Sequence, residues 1–83
     1  MDKKLNVGCG RDIRSGWINL DISKAVPADI HIDIRTSVIP LENESCSDVY
    51  ASGILEQIGD NDQLIHVLNE CHRVLKPGGK MIS

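Results

Sequence analysis

The chain has 83 residues, a formal net charge of −3, and only one Trp and one Tyr as aromatic residues. A domain of this length buries only roughly 60–65% of the surface that its unfolded chain exposes. The acidic charge, without a basic run or stacking aromatics, predicts no nucleic acid partner. No run approaches about 20 apolar residues, and the sequence enters its first predicted strand directly. We therefore expect no signal peptide, membrane span or membrane partner.

Five predicted strands alternate with helical or turn connections. They cover residues 4–7, 17–22, 28–34 and 47–52, and a fifth begins at residues 80–83. In the third, isoleucines alternate with polar residues, which is typical of a strand near a sheet edge. The alternation of strands and connections predicts an α/β fold with a parallel sheet. Only residues 11–16 separate the first glycine turn from the second strand, whereas parallel neighbours usually need a dozen or more. Either the connection is a compressed loop or the second strand begins later.

The clearest helix lies between the fourth and fifth predicted strands. Asp60 is expected to cap its N-terminus, with Gln63 three residues later. The segment KPGG at residues 76–79 is expected to end it before the fifth strand. Apolar residues at helical spacing predict its buried face: Leu64, Leu68, Cys71 and Leu75, with Ile65 and Val67 or Val74 flanking this stripe.

The run LNVGCG at residues 5–10 and an acid at the end of the second strand predict a ligand site. Glycine has no Cβ and reaches turn dihedrals that other residues avoid, so a ligand can lie against the backbone of Gly8 and Gly10. Asp21 closes the second strand, where its carboxylate can accept hydrogen bonds from two neighbouring sugar hydroxyls. Strand, glycine turn, strand and acid form the nucleoside-binding half of an open α/β sheet, which predicts an adenosine-containing cofactor. The alternatives are a simple tight turn for the glycines and a simple cap for Asp21.

Four motifs stand out along the chain: LNVGCG (residues 5–10), GWINLD (16–21), SDVYAS (47–52) and ECHRVLKPGG (70–79). In this order and spacing they resemble the class I S-adenosylmethionine-dependent methyltransferases. More closely, they resemble the small-molecule type with a Gly-Trp-Ile-Asn second strand. The resemblance implies a Rossmann-like three-layer fold with a seven-stranded, mostly parallel sheet. Residues 1–83 would be one domain, the N-terminal part of that fold, reaching only the start of the fifth strand.

This resemblance implies S-adenosyl-L-methionine as the cofactor and methyl transfer to a small-molecule acceptor as the reaction. The glycine loop would lie under the methionine and ribose, Asp21 would hold the ribose hydroxyls, and Asp33 would accept from the adenine amine. The end of the fourth strand would face the methionine. The cofactor-binding residues implied in this way are Gly8, Cys9, Gly10, Asp21, Ile22, Asp33, Ile34, Ser52 and Gly53.

No catalytic residue is predicted. Relatives often carry histidines where Gly53 and Gln57 stand, so a general base at these positions is missing. Methyl transfer from a sulfonium can proceed without one, because it depends largely on positioning. The histidines and the three cysteines lack metal-ligand spacing, and we expect no metal. The cysteines predict no disulfide framework and a reducing cytoplasm, and Cys9 is expected to be a small packing residue rather than a nucleophile.

Two other functions compete with this interpretation. A nicotinamide-dependent dehydrogenase would need G-x-G-x-x-G with an acid about 20 residues later. Here Ile13 takes the third glycine's place, and Asp21 follows Gly10 by only eleven residues. A non-catalytic cofactor-binding or assembly module, lacking the acceptor-binding half, stays open. Because the fifth strand would form a sheet edge, we also expect a homodimer joined at or near residues 80–83.

Overall fold

Five parallel strands form a single sheet in the computed structural model, which describes residues 2–83. The strands are β1 (Lys3–Val7), β2 (Ile18–Asp21), β3 (Ile30–His31), β4 (Cys46–Tyr50) and β5 (Leu75–Ile82). A short 3-10 helix (Leu55–Gln57) and the helix α1 (Asn61–Val74) connect β4 to β5. The order across the sheet is β3-β2-β1-β4-β5. This arrangement confirms the α/β class as an incomplete Rossmann-like fold, with one helical layer in the part of the chain described.

Two strand predictions need correction. The third strand has only two residues, not seven, because side chains capture the backbone at both of its ends. Before it, the Asp29 carboxylate accepts from the Asn19 N–H at 2.7 Å; after it, the Asp33 carboxylate accepts from the Arg35 N–H at 3.1 Å, where a turn begins. β5 begins directly after α1, and residues 76–79 form an irregularity in its pairing with β4 rather than a separate helix stop.

Helix α1 has the predicted start and a buried face slightly shifted from the predicted one. The Asp60 carboxylate accepts from the Gln63 N–H at 2.9 Å, which confirms the N-cap. Leu68, expected in the core, is 38% exposed. The buried positions are Val67, Glu70, Cys71 and Val74, of which only Glu70 lies outside the predicted stripe and its flanks. Leu64 and Leu75 of the predicted stripe are partly buried against the core, so the buried face is the predicted one shifted towards residues 67 and 74.

The apolar core fills the space between α1 and one face of the sheet. Strand residues Leu5, Val7 and Leu20 are at most 1% exposed and belong to the same cluster as Val67 and Val74 of the helix. Burying each such side chain contributes roughly 1.5–3 kcal/mol. This face holds the strands in register and so fixes the relative positions of their carboxyl ends.

The short first connection, residues 8–17, is held down by two buried asparagines. Asn6 and Asn19 are register partners in β1 and β2, and the Asn6 side-chain amide donates to the Asn19 Oδ1 at 3.1 Å. Asn19 Oδ1 also accepts from the Arg14 N–H at 2.9 Å, and Asn6 donates to the Asp12 carbonyl at 2.7 Å. Side-chain amides thus replace a crossover helix, which confirms the compressed loop.

A partly buried ion pair ties the segment before β4 to the helix. Glu70 accepts from the Ile39 N–H at 2.7 Å and from the Arg73 Nε at 2.9 Å. Arg73 in turn donates to the carbonyl oxygens of Ile39 and Leu41, at 2.8 and 2.9 Å. The Arg73 guanidinium lowers the pKa of Glu70 below its ordinary value, although burial of the carboxylate acts against it. Glu70 and Arg73, part of one of the four sequence motifs, therefore have a structural role.

Candidate functional site

A cleft of about 440 Å³ lies at the carboxyl ends of β1, β2, β3 and β4. Its apolar wall includes Leu20, Ile34 and Ile58, which also belong to the core. The chain leaves β1 towards β2 on one side and β4 towards β5 on the other, and open parallel sheets bind ligands at such a switch point. The predicted cofactor-binding residues that line the cleft are Gly8, Gly10, Asp21, Ile22, Asp33, Ile34, Ser52 and Gly53.

The glycine loop after β1 needs its two glycines for different reasons. Both have a left-handed backbone, with φ of +64° at Gly8 and +52° at Gly10. A Cβ added at Gly8 would stand 2.9 Å from the Ile54 Cβ, so this glycine permits close packing of the segment after β4. A Cβ added at Gly10 would meet nothing within 4 Å. Gly10 therefore presents bare backbone to open space beside the cleft, as a ligand-binding glycine should.

Asp21 joins the glycine loop to the end of β2. Its Oδ2 accepts from the Gly10 N–H at 2.7 Å, and its Oδ1 accepts from the Ser23 N–H at 2.8 Å. An ionised carboxylate has about two acceptor directions on each oxygen, so each Asp21 oxygen retains one. The side chain thus has two roles: it anchors the loop and offers a pair of adjacent acceptors to the cleft.

Asp33 lies just beyond β3, in a tight turn on the cleft wall. The Arg35 guanidinium donates to both of its oxygens, from Nε to Oδ1 and from Nη2 to Oδ2, each at 2.9 Å. The Arg35 backbone N–H also donates to Oδ1, at 3.1 Å. These contacts lower the pKa of Asp33, mainly through the Arg35 side chain. Asp33 is therefore an ionised acceptor held in one orientation.

The segment after β4 forms the remaining wall. Ser52 is exposed, and Gly53 has a φ of +79° with open space where a Cβ would stand. The short helix that follows brings Gln57 into the lining. Gln57 has a neutral amide, which can donate or accept a hydrogen bond but cannot act as a base at neutral pH.

Cys9 is the one predicted cofactor-binding residue whose side chain the structure places away from the cleft. The residue is 5% exposed, and its backbone N–H donates to the Leu20 carbonyl at 3.0 Å. Burial raises the pKa of its thiol, and the charge of Asp21 acts in the same direction. The side chain is thus a packing residue, as expected, and its contribution to the loop comes from the backbone.

The histidines are engaged outside the cleft or exposed. The His66 Nε2 lies 2.7 Å from the Ser37 carbonyl, and the His31 Nδ1 lies 3.0 Å from the Ser23 carbonyl. Among residues 2–83, no group of three or more His, Cys, Asp or Glu side chains is arranged to hold a metal ion. No helix within this range is long and apolar enough to cross a membrane.

Sequence reasoning did not identify Arg35 as part of the site. The signal was present, because a basic residue two positions after an acid at a strand end can turn back onto it. Arg14 and Asp12 have the same spacing and also form an ion pair, at 3.1 Å, yet neither lines the cleft. The spacing alone therefore does not distinguish a site residue from a surface pair.

The cleft combines an apolar wall, a bare glycine backbone and two fixed carboxylates. This combination suits a flat apolar ring carrying a polar edge and a sugar with adjacent hydroxyls. A family model described as "Methyltransferase domain" matches residues 5–83. The matched range contains every residue of the cleft lining. No match was found among curated proteins.

Proposed function

The chain belongs to the methyltransferase domain family, and from this premise we propose that its cleft binds S-adenosyl-L-methionine. Membership confirms the resemblance seen in the four sequence motifs and the S-adenosylmethionine-dependent methyltransferase interpretation based on it. The family generally binds this cofactor. Its binding to this chain, and transfer of its methyl group to a small-molecule acceptor, are the proposed part.

The arrangement around Asp21 carries the proposal. The Gly10 and Ser23 amides hold its two oxygens in place, and one acceptor direction remains on each. Adjacent ribose hydroxyls supply two donors, one for each Asp21 oxygen. The anchored glycine loop then lies beside the sugar, where a Cβ at Gly10 would project into open space. Asp33 supports the same placement as a second fixed acceptor, suited to the adenine amine.

The chain's contribution to methyl transfer would be positioning. The bound cofactor supplies a sulfonium whose positive charge already activates the methyl group for in-line displacement. The segment formed by Ser52, Gly53 and Gln57 would flank the methionine end and orient the acceptor through neutral groups. Holding two reactants in line can itself supply a large part of a rate enhancement.

Titration calorimetry with S-adenosylhomocysteine tests the binding directly, with NAD as the matched dinucleotide control. We expect one site per chain for the first ligand and no binding of the second. Thermal unfolding gives an independent readout, because ligand at 100 times its Kd stabilises the folded state by about 2.7 kcal/mol. For a domain of this size, that raises the Tm by roughly 10–20 °C. No heat and no Tm shift, or equal binding of NAD, would overturn the proposal.

We also propose that the protein works in the cytoplasm. Cys9, Cys46 and Cys71 are all free and buried in the described structure. Burial raises the pKa of Cys71 to about 11, which keeps its thiol protonated. Three unpaired thiols inside the fold suit a reducing compartment. Fractionation of cells expressing the native gene would test this, and recovery outside the cytoplasmic fraction would contradict it.

A further inference from the structure

In the ion pair between Asp33 and Arg35, the two carboxylate oxygens accept different numbers of hydrogen bonds. Oδ1 accepts from both the Arg35 Nε and the Arg35 backbone N–H, at 2.9 and 3.1 Å. Oδ2 accepts only from Nη2, at 2.9 Å. Since each oxygen has about two acceptor directions, Oδ1 is saturated by protein groups and Oδ2 retains one direction.

The pair also fixes the orientation of the Asp33 side chain. Two parallel N–H···O bonds from a planar guanidinium allow little rotation of the carboxylate, whereas a single point charge would allow it. The backbone supports this geometry, because the Thr36 and Ser37 amides donate to the Asp33 carbonyl at 3.2 and 2.9 Å. Both side chains line the cleft.

We propose that Arg35 is a positioning residue that makes the cleft specific for a 6-aminopurine over a 6-oxopurine by pinning the Asp33 carboxylate. This inference rests on the proposed function, since it concerns the base of the bound nucleoside. With Oδ1 occupied, Oδ2 offers one fixed acceptor, which suits the exocyclic N–H of adenine. Arg35 need not contact the ligand for this effect.

The chemistry of the two bases explains the specificity. Hypoxanthine has a carbonyl oxygen where adenine has its amine, so a fixed carboxylate oxygen would face another acceptor. The nearest donor of hypoxanthine, its N1–H, lies one ring atom away. A carboxylate that is free to rotate can reach that donor. A carboxylate held by Arg35 can reach it only by breaking its two parallel hydrogen bonds to the guanidinium. Two acceptors that face each other in a partly buried site, here the Asp33 oxygen and the 6-oxo group, lose more binding free energy than one hydrogen bond in water contributes.

The electrostatics of the pair act in the same direction. The Arg35 guanidinium lowers the pKa of Asp33, so the carboxyl group is an acceptor without a proton to donate to a 6-oxo group. The two side chains are 30% and 47% exposed, so the pair is screened by solvent. The pair therefore matters because it orients the Asp33 carboxylate. Its loss should change ligand selectivity more than the stability of the fold.

The test compares S-adenosylhomocysteine with S-inosylhomocysteine by calorimetry on the full chain. The unmodified chain should bind the adenosyl ligand at least about tenfold more tightly, the scale of one hydrogen bond to a charged group. Arg35→Ala should reduce this ratio to below about threefold. Arg35→Lys keeps the positive charge but cannot form the two parallel hydrogen bonds, so its ratio of affinities should stay near that of the alanine variant. Arg14→Ala is the matched control, because it breaks an arginine–aspartate pair of the same spacing outside the cleft.

The outcomes separate this inference from the proposed function. A drop in the ratio with Arg35→Ala and Arg35→Lys, but not with Arg14→Ala, would support Arg35 as the positioning residue. An unchanged ratio in folded Arg35 variants would overturn that role while leaving cofactor binding intact, as would full rescue by lysine. Failure of the unmodified chain to bind the adenosyl ligand would instead overturn the proposed function. Asp33→Asn gives an independent check: its amide can donate to a 6-oxo group, so the preference should vanish or reverse.

Discussion

Removing the Asp21 carboxylate should have two consequences, of which the sequence alone predicts only one. From a sequence perspective, Asp21→Ala weakens cofactor binding and leaves folding nearly intact, because a strand-end carboxylate packs little surface. In the structure the same carboxylate also accepts from the Gly10 N–H at 2.7 Å and from the Ser23 N–H at 2.8 Å. The glycine loop should therefore loosen as well.

The magnitudes follow from these contacts. Loss of hydrogen bonds from ligand to a charged group should weaken S-adenosylhomocysteine binding by about 1.5–3 kcal/mol, or roughly 10- to 150-fold. The partly buried bond to Gly10 should add about 1.5 kcal/mol of lost folding stability, whereas the exposed bond to Ser23 is replaced by water. For a domain of this size, that lowers the Tm by about 10 °C.

Two further variants make the measurement decisive. Asp21→Asn can keep its oxygen towards the Gly10 N–H, so it should retain most of the stability and still lose affinity, having given up one acceptor and the charge. Asp62→Ala removes an equal charge from the exposed first turn of α1 and should leave binding unchanged. Calorimetry measures affinity, and thermal unfolding measures stability. A folded Asp21→Asn that binds like the unmodified chain would remove Asp21 from the site.

Other variants test the loop, the ion pair and the assembly. Gly10→Val should abolish S-adenosylhomocysteine binding, because a branched residue tolerates its φ of +52° poorly and would project into the open side of the loop; binding by a folded variant would show that the loop does not face the ligand. Gly8→Ala should destabilise the fold by about 1–3 kcal/mol more than Gly10→Ala in urea unfolding, since its Cβ would stand 2.9 Å from Ile54; equal losses would contradict that packing role. The pKa of Glu70 is lowered from 4.5, so its stabilising contribution should persist above that pH and disappear as the pH falls further, and Glu70→Gln should flatten this part of the acid unfolding curve. We propose that β5, an edge strand of the described sheet, joins two copies into a homodimer. A stable monomer at tens of micromolar in sedimentation would refute this. A dimer that survives deletion of residues 80–83 would place the interface elsewhere.

Local chemistry determined much of what the sequence predicted correctly. The Gly-x-Gly turn, the acid at the end of β2 and the Asp60 cap depend on neighbouring residues along the chain, and each lies where it was expected. The periodicity of apolar residues is likewise a local property. It shows strands alternating with connections, and that alternation predicts a parallel sheet. The family match then agrees with the four motifs taken together.

The final position of the buried face of α1 and the closure of the first connection depend on contacts between distant segments. Leu68 fits the apolar stripe in sequence, but the packing of the helix leaves it 38% exposed and buries Glu70, whose charge Arg73 compensates. Asn6 and Asn19 meet only because β1 and β2 pair in a particular register. Periodicity predicts the approximate buried face of a helix, whereas long-range packing sets its final position.

The same distinction runs through the candidate site. Glycine's lack of a Cβ is a property of the residue, yet its use differs: Gly8 makes room for Ile54, and Gly10 stays open beside the cleft. Asp33 could be named from its place at a strand end, but the side chain that holds it, Arg35, could not be told from a surface ion pair until the strands were assembled. The order of residues along the chain sets which kinds of chemical group are available. The tertiary structure decided which lone pairs remain for a ligand, because hydrogen bonds between distant segments use up the others.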